Sequence, residues 1–107
     1  MPILEARYSR EFQTDLRRLA RKHPKLAREL ENLLLEELLV SGTVSEEYFP
    51  HILNKPGGTY NGCMEFHLRE DVLVLYSPPN PTRSVTMRRI CTHAELATSR
   101  FSPDWPD

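Results

Sequence analysis

Residues Gly62–Val74 read GCMEFHLREDVLV, and the reading of this stretch decides the fold. From Cys63 to Leu68 the side chains alternate. Met64, Phe66 and Leu68 fall on one face and Cys63, Glu65 and His67 on the other, the period of a strand with one buried side. Arg69, Glu70 and Asp71 supply a tight charged turn. The run VLVLY from Val72 to Tyr76 is continuously apolar, as a central strand covered on both faces requires. The stretch therefore reads as a strand hairpin that sets His67 at a strand end and Asp71 at the turn beyond it.

Working outward toward the C-terminus, SPPNPTRS is a rigid, proline-loaded connection, and Val85–Cys91 is a last strand followed by THAELATSRF and a polar tail. Toward the N-terminus, residues 43–61 are irregular, broken by Pro50, Pro56, Gly57 and Gly58. So long a loop in a small chain is commonly functional. Before it, residues 2–8 predict a short strand, and Ser9 can cap a helix that carries Phe12, Leu16 and Leu19 on one face and arginines on the other. Pro24 suits the first turn of a second helix, KLARELENLLLEELLV, whose stripe is Leu26, Leu30, Leu33 or Leu34, and Leu38, and which stops at Ser41-Gly42. The order strand, helix, helix, strand, strand, strand predicts an α+β fold: a small antiparallel-rich sheet with a helical hairpin on one face and the other face partly open.

A chain of 107 residues is enough for one domain, taken as residues 1–107, and too short for two stable ones. Its 27% charged and 39% hydrophobic residues exclude disordered and fibrous classes. No apolar run approaches the ~18 residues of a membrane span, and the N-terminus lacks a basic segment followed by an apolar signal core, so no membrane association is expected and the cytoplasm is the expected compartment. Without such a signal, Cys63 and Cys91 are expected to be free thiols. The net charge of -1 hides segregation, with a balance of +5 over residues 1–28 and of -7 over residues 29–71. That asymmetry suits one face for a polyanion and another for a basic partner.

Three histidines, His51, His67 and His93, lie in elements that can share the open face. Asp71 is near enough in sequence to orient His67, and Arg89 shares parity with His93 at the end of the last strand. The set offers a base, an acid and a fixed cation for a phosphate. A metal is not expected unless loop residues complete a site: Cys63 and His67 are ~13 Å apart along a strand, and no CxxC, HExxH or EF-hand spacing occurs. No cofactor is expected either, since GxxxxGK[ST] and GxGxxG patterns and a serine nucleophile elbow are all missing.

The segments YFPHIL, YNGCMEFHLREDVLVLY and MRRICTHAEL are together similar to the bacterial type II toxin family of RelE/ParE-fold messenger-RNA endoribonucleases, in particular its YafQ-like branch. The resemblance covers most of the chain. It implies a site made of the loop histidine His51, the strand-end histidine His67, its acidic partner Asp71, a phosphate-facing Arg89 and the C-terminal histidine His93. Two positions depart from the pattern: Val72 and Ala97 stand where aromatics are usual, so a stacking platform would fall to Phe101 or Tyr60. The implied chemistry is metal-independent attack of a 2′-hydroxyl on the adjacent phosphorus, with His67 as base oriented by Asp71, Arg89 on the phosphate, His93 as acid and His51 auxiliary; the histidine roles can be exchanged. The resemblance also implies cleavage in the ribosomal A site, docking on ribosomal RNA through Arg17, Arg18, Arg21 and Lys22, and a cognate antitoxin. Its alternatives are a ParE-like gyrase inhibitor and a catalytically weakened domain that only binds RNA or a partner; the His67, Asp71 and His93 set favours the enzyme.

Overall fold

A computed structural model of the chain describes residues 3–78 and 83–106, so the centre of the proline-loaded connection, the first residue of the expected N-terminal strand and the end of the tail lie outside the described residues. The elements are β1 (Glu5–Tyr8), α1 (Arg10–Lys22), α2 (Pro24–Leu33), β2 (His51–Ile52), β3 (Met64–Arg69), β4 (Val72–Ser77), β5 (Ser84–Cys91) and α3 (His93–Thr98). The sheet order is β1-β5-β4-β3-β2. From β2 to β5 it is an antiparallel meander, and β1 closes it by pairing in parallel with β5, Glu5 opposite Ser84.

The central hairpin follows the alternation of its sequence. Phe66, Leu68, Val72, Val74 and Tyr76 pack with the helices in the main core, while Leu73 and Leu75 face the other way. Every residue of Val72–Tyr76 is buried. The face expected to be partly open carries a second, smaller core, in which Leu53, Leu73, Leu75 and Cys91 are covered by Tyr60, Leu96 and Phe101.

The sheet has five strands where four were expected. The extra one, β2, forms because the long loop folds back on β3: the Leu53 amide donates to Cys63 O at 2.8 Å and the Gly62 amide to Leu53 O at 2.9 Å. Two residues are too few to show a strand periodicity. Gly62 takes a φ of 86°, which closes this return.

Ser9 caps α1 by accepting from the Phe12 amide at 3.0 Å. Pro24 opens α2, whose last turns are a π turn at Leu34–Leu38 and an α turn at Leu39–Ser41, ended by Gly42 at a φ of 86°. The π turn inserts an extra residue into the stripe. Leu33 and Leu34 are both buried, as are Leu38 and Leu39, so the ambiguous stripe position of the sequence is occupied twice. Among the described residues, no helix is long and apolar enough to cross a membrane.

β1 is shorter than β5, and α1 finishes what it leaves. Beyond Tyr8 the free edge of β5 is met by side chains: Ser9 Oγ donates to Arg88 O at 3.0 Å, Asp15 Oδ2 accepts from the Ile90 amide at 2.9 Å, and Arg18 Nη2 donates to Ile90 O at 3.0 Å. These bonds satisfy a strand edge that would otherwise be exposed or buried unpaired.

Candidate active site

His51, Glu65 and His67 are brought together by the β2–β3 pairing, in which His51 stands opposite Glu65 and His67 follows two residues on along the same face. His51 Nε2 is 3.2 Å and His67 Nε2 3.5 Å from the same oxygen, Glu65 Oε1. His51 Nδ1 is 2.8 Å from Phe49 O. A carbonyl can only accept, so Nδ1 carries a hydrogen and Nε2 meets the carboxylate. Glu65 is buried and its other oxygen, Oε2, has no hydrogen-bond partner among the described residues.

Asp71 orients His93 and not His67, which corrects the expected pairing. Asp71 Oδ1 accepts from the His93 backbone amide at 2.8 Å and lies 2.7 Å from His93 Nδ1. The cause is strand register. Leu73 stands opposite Cys91 in the antiparallel β4–β5 pair, so two residues further toward the turn on one strand and toward α3 on the other, Asp71 meets His93. The His93 backbone amide, assisted by its imidazole, holds the Asp71 carboxyl below its ordinary value of 3.8. With Nδ1 turned to Asp71, His93 keeps Nε2 for other work. The rings of His67 and His93 are 5.5 Å apart between centroids, and those of His51 and His67 6.0 Å. The three histidines read from the sequence therefore form one row.

Arg89 lies outside that row as a usable cation. It points to the face opposite the helical hairpin, as its parity with Leu75 requires, but its Nε and Nη2 are bound by Asp15 at 2.8 and 2.9 Å and its guanidinium covers the Phe101 ring at 3.7 Å. Phe101 in turn is no open platform. A register shift beside it turns Arg88 onto the surface of Cys63 and Tyr60, with its Nη1 3.9 Å from Cys63 Sγ and its guanidinium 5.5 Å from the Tyr60 centroid.

Arg18 is the second correction. Expected on the solvent face of α1, it is 1% exposed. Its Nε binds Asp15 at 3.1 Å, its Nη1 and Nη2 bind Glu95 at 2.7 and 2.8 Å, Nη1 also reaches Ser102 O at 3.0 Å, and the Trp105 ring lies over it at 4.8 Å. Arg17, Arg21 and Lys22 do face solvent. The signal for the burial was present: Asp15 falls inside the apolar stripe of Phe12, Leu16 and Leu19, where a carboxylate needs a buried partner.

A cleft of about 750 Å³ opens beside the histidine row, lined by Phe49, His67, Arg69, Glu70 and His93 among others. Arg69 is held by Glu29 through both of its terminal nitrogens. Sequence reasoning missed two members of this region, Glu65 and Phe49. Glu65 shares the polar parity of His67, which could have marked it; Phe49 carried only its place before Pro50. Burial pushes the Cys91 thiol up to about 12, which removes it as a nucleophile at neutral pH. His51, Glu65 and His67 also offer ligand atoms within 4.8 Å of one another, so a loop residue does complete a possible metal set.

A five-stranded sheet backed by a helical hairpin, with acid–base residues strung along its other face, defines a small α+β protein built around one polar row. Residues 4–98 match the family model described as "Bacterial toxin of type II toxin-antitoxin system, YafQ", and the chain belongs to that family. Similar solved structures include Escherichia coli YafQ in its complex with DinJ, 22% identical over 87% of this chain and 97% of that one, TM-score 0.63. A metal-bound toxin from Helicobacter pylori is 26% identical over 88% and 99% of the two chains, TM-score 0.63. A YoeB/ParE toxin from Agrobacterium tumefaciens shares the fold at 10% identity, over 84% and 99%, with TM-score 0.66. No curated protein sequence matches the chain significantly.

Proposed function

We propose that this toxin is an endoribonuclease that cleaves messenger RNA in the ribosomal A site and is neutralised by a cognate antitoxin, as the complex of E. coli YafQ with DinJ suggests. The observation that carries the chemistry is the histidine row, with imidazoles 5.5 Å apart that are backed by different carboxylates. RNA brings its own nucleophile: as the 2′-oxygen bonds to phosphorus, its proton must leave, and as the bond to the 5′-oxygen breaks, that oxygen must gain one. An imidazole whose Nδ1–H is fixed by a carboxylate presents Nε2 as a base and is stabilised when it becomes cationic. His93 with Asp71 fits that role. His67, set against Glu65, fits the acid, an exchange of the histidine roles expected from the sequence. Arg88 takes the phosphate in place of Arg89, and Arg17, Arg21 and Lys22 contact ribosomal RNA phosphates.

The test is single-turnover cleavage on programmed ribosomes, mapped by primer extension. His93→Gln should slow the chemical step by roughly 10²–10⁴-fold, the range for a positioned acid or base, with little change in melting temperature. A substrate with sulfur in place of the 5′-oxygen needs no acid, so it should restore a His67→Gln protein and leave His93→Gln slow. A folded His93→Gln protein cleaving at the parental rate, or gyrase inhibition without any cleavage, would overturn the proposal. A second reading is favoured by the His51, Glu65 and His67 set and by the metal-bound H. pylori toxin: these residues hold a divalent ion. Imidazoles and a carboxylate suit zinc or copper, which when bound would occupy the lone pairs that proton transfer uses.

A further inference from the structure

Phe49 is unusual twice over. Among the large hydrophobic side chains of the described residues it is the most exposed, at 68%. Its backbone is left-handed, φ 52° and ψ 53°, although it is bulky and precedes a proline, a position that normally forces an extended conformation. Such strain persists only where the surroundings hold it. Part of the reason is the carbonyl, which accepts from His51 Nδ1 at 2.8 Å and so fixes that ring. A glycine would present the same carbonyl without strain, so the backbone gives no reason for a phenyl group.

The ring has a situation of its own. It meets His67 edge-to-face, 6.1 Å between centroids and 71° between planes, and lines the cleft with His67 and His93. The other aromatics of this face are engaged: Phe101 lies under Arg89 at 3.7 Å and Tyr60 under Arg88 at 5.5 Å. Val72, at a position where the family resemblance implies an aromatic, is buried against the main core. We propose that Phe49 is the platform on which a nucleobase of single-stranded RNA stacks, so that the sugar–phosphate attached to that base lies against His67 and His93. Stacking on an aromatic face tolerates any base and fixes position, which is what a cleft with few open cations needs. The inference rests on the endoribonuclease reading for its substrate, but base binding and cleavage are separable by measurement.

The experiment uses the full chain, with Phe49→Leu, Phe49→Trp and Phe49→Gly variants. The binding probe is an RNA oligonucleotide carrying 2-aminopurine beside the scissile position and a 2′-deoxy sugar that blocks cleavage. The parental protein should quench the probe, Phe49→Leu should not, and Phe49→Trp should restore the quenching. On programmed ribosomes Phe49→Leu should lower kcat/KM by roughly ten- to a hundredfold, the worth of one stacked base. Phe49→Gly should melt higher than the parent, because the strain is removed, while losing the same activity. Quenching lost in Phe49→Leu with no cleavage by any form would leave the base platform standing and sink the nuclease reading. Parental cleavage with unchanged sequence preference in Phe49→Leu would do the reverse.

Discussion

The cluster around Arg18 and the row around Glu65 contain the same kinds of group and are built on opposite plans. Around Arg18, Asp15 accepts from Arg18, Arg89 and the Ile90 amide, and Glu95 accepts from Arg18 and from the Thr92 and Ser102 amides. Around Glu65, one carboxylate oxygen is shared by two imidazoles and the other is buried without a partner among the described residues. The first cluster has no capacity left for a ligand; the second has both capacity and exposure. Charge density alone therefore does not mark a site. Unspent hydrogen-bonding capacity does, and its cost in stability is the reason it is rare.

The largest effect should come from breaking the saturated cluster. Arg18→Ala would leave Glu95 buried without its cation and should cost about 3–5 kcal/mol in urea denaturation, as expected for one partner of a buried pair. Arg17→Ala, one residue away and exposed, should stay within about 0.5 kcal/mol. Equal losses in the two variants would erase the distinction between the clusters. Glu65→Leu should act in the opposite direction. It removes a half-satisfied buried carboxylate, so it should raise stability by about 1–2 kcal/mol while abolishing cleavage and any zinc or copper binding by titration. A destabilised Glu65→Leu protein would show that the row is structural after all.

The smallest effect concerns acid. Burial works to raise the Glu95 carboxyl, but the Arg18 guanidinium and the Ser102 and Thr92 amides outweigh it and hold it below its ordinary value of 4.5. Asp71 is lowered as well, by His93. A carboxyl whose pKa falls on folding contributes stability that is present above its unfolded value and lost as pH drops through the folded one. Stability should thus decline as pH falls below 4.5, opposed by the Asp15 carboxyl, which burial raises and which therefore works in the other direction. In Glu95→Gln the decline should be shallower. An unchanged slope would place the acid sensitivity elsewhere.

Much of this architecture was legible because it is local. The alternation of Cys63–Leu68, the capping of Ser9, the proline start of α2 and the glycine stop at Gly42 each depend on a few neighbouring residues. Strand parity placed His67 on the polar face and paired His93 with Arg89, whereas His51, in a stretch without periodicity, was grouped only as a loop residue able to reach that face. What parity does not give is the partner. Asp71 follows His67 closely in sequence, yet register across two strands assigns it to His93. Arg18 looks like a member of a basic helix face until Glu95 and Trp105 are brought to it from the far end of the chain. Likewise β1 gave no sign of running parallel to β5, since that pairing joins residues from opposite ends of the sequence.

The bonds of Arg18 also impose an order in time. Its partners Ile90, Glu95 and Ser102 lie 72, 77 and 84 residues further along the chain. Synthesis runs from the N-terminus, so α1 can form early with Asp15 beside Arg18, while the rest of the buried guanidinium waits for β5, α3 and Ser102. His93 emerges among those same distant residues. Until α3 has left the ribosome that is making it, a nascent copy therefore lacks both the lock on β5 and one end of the histidine row.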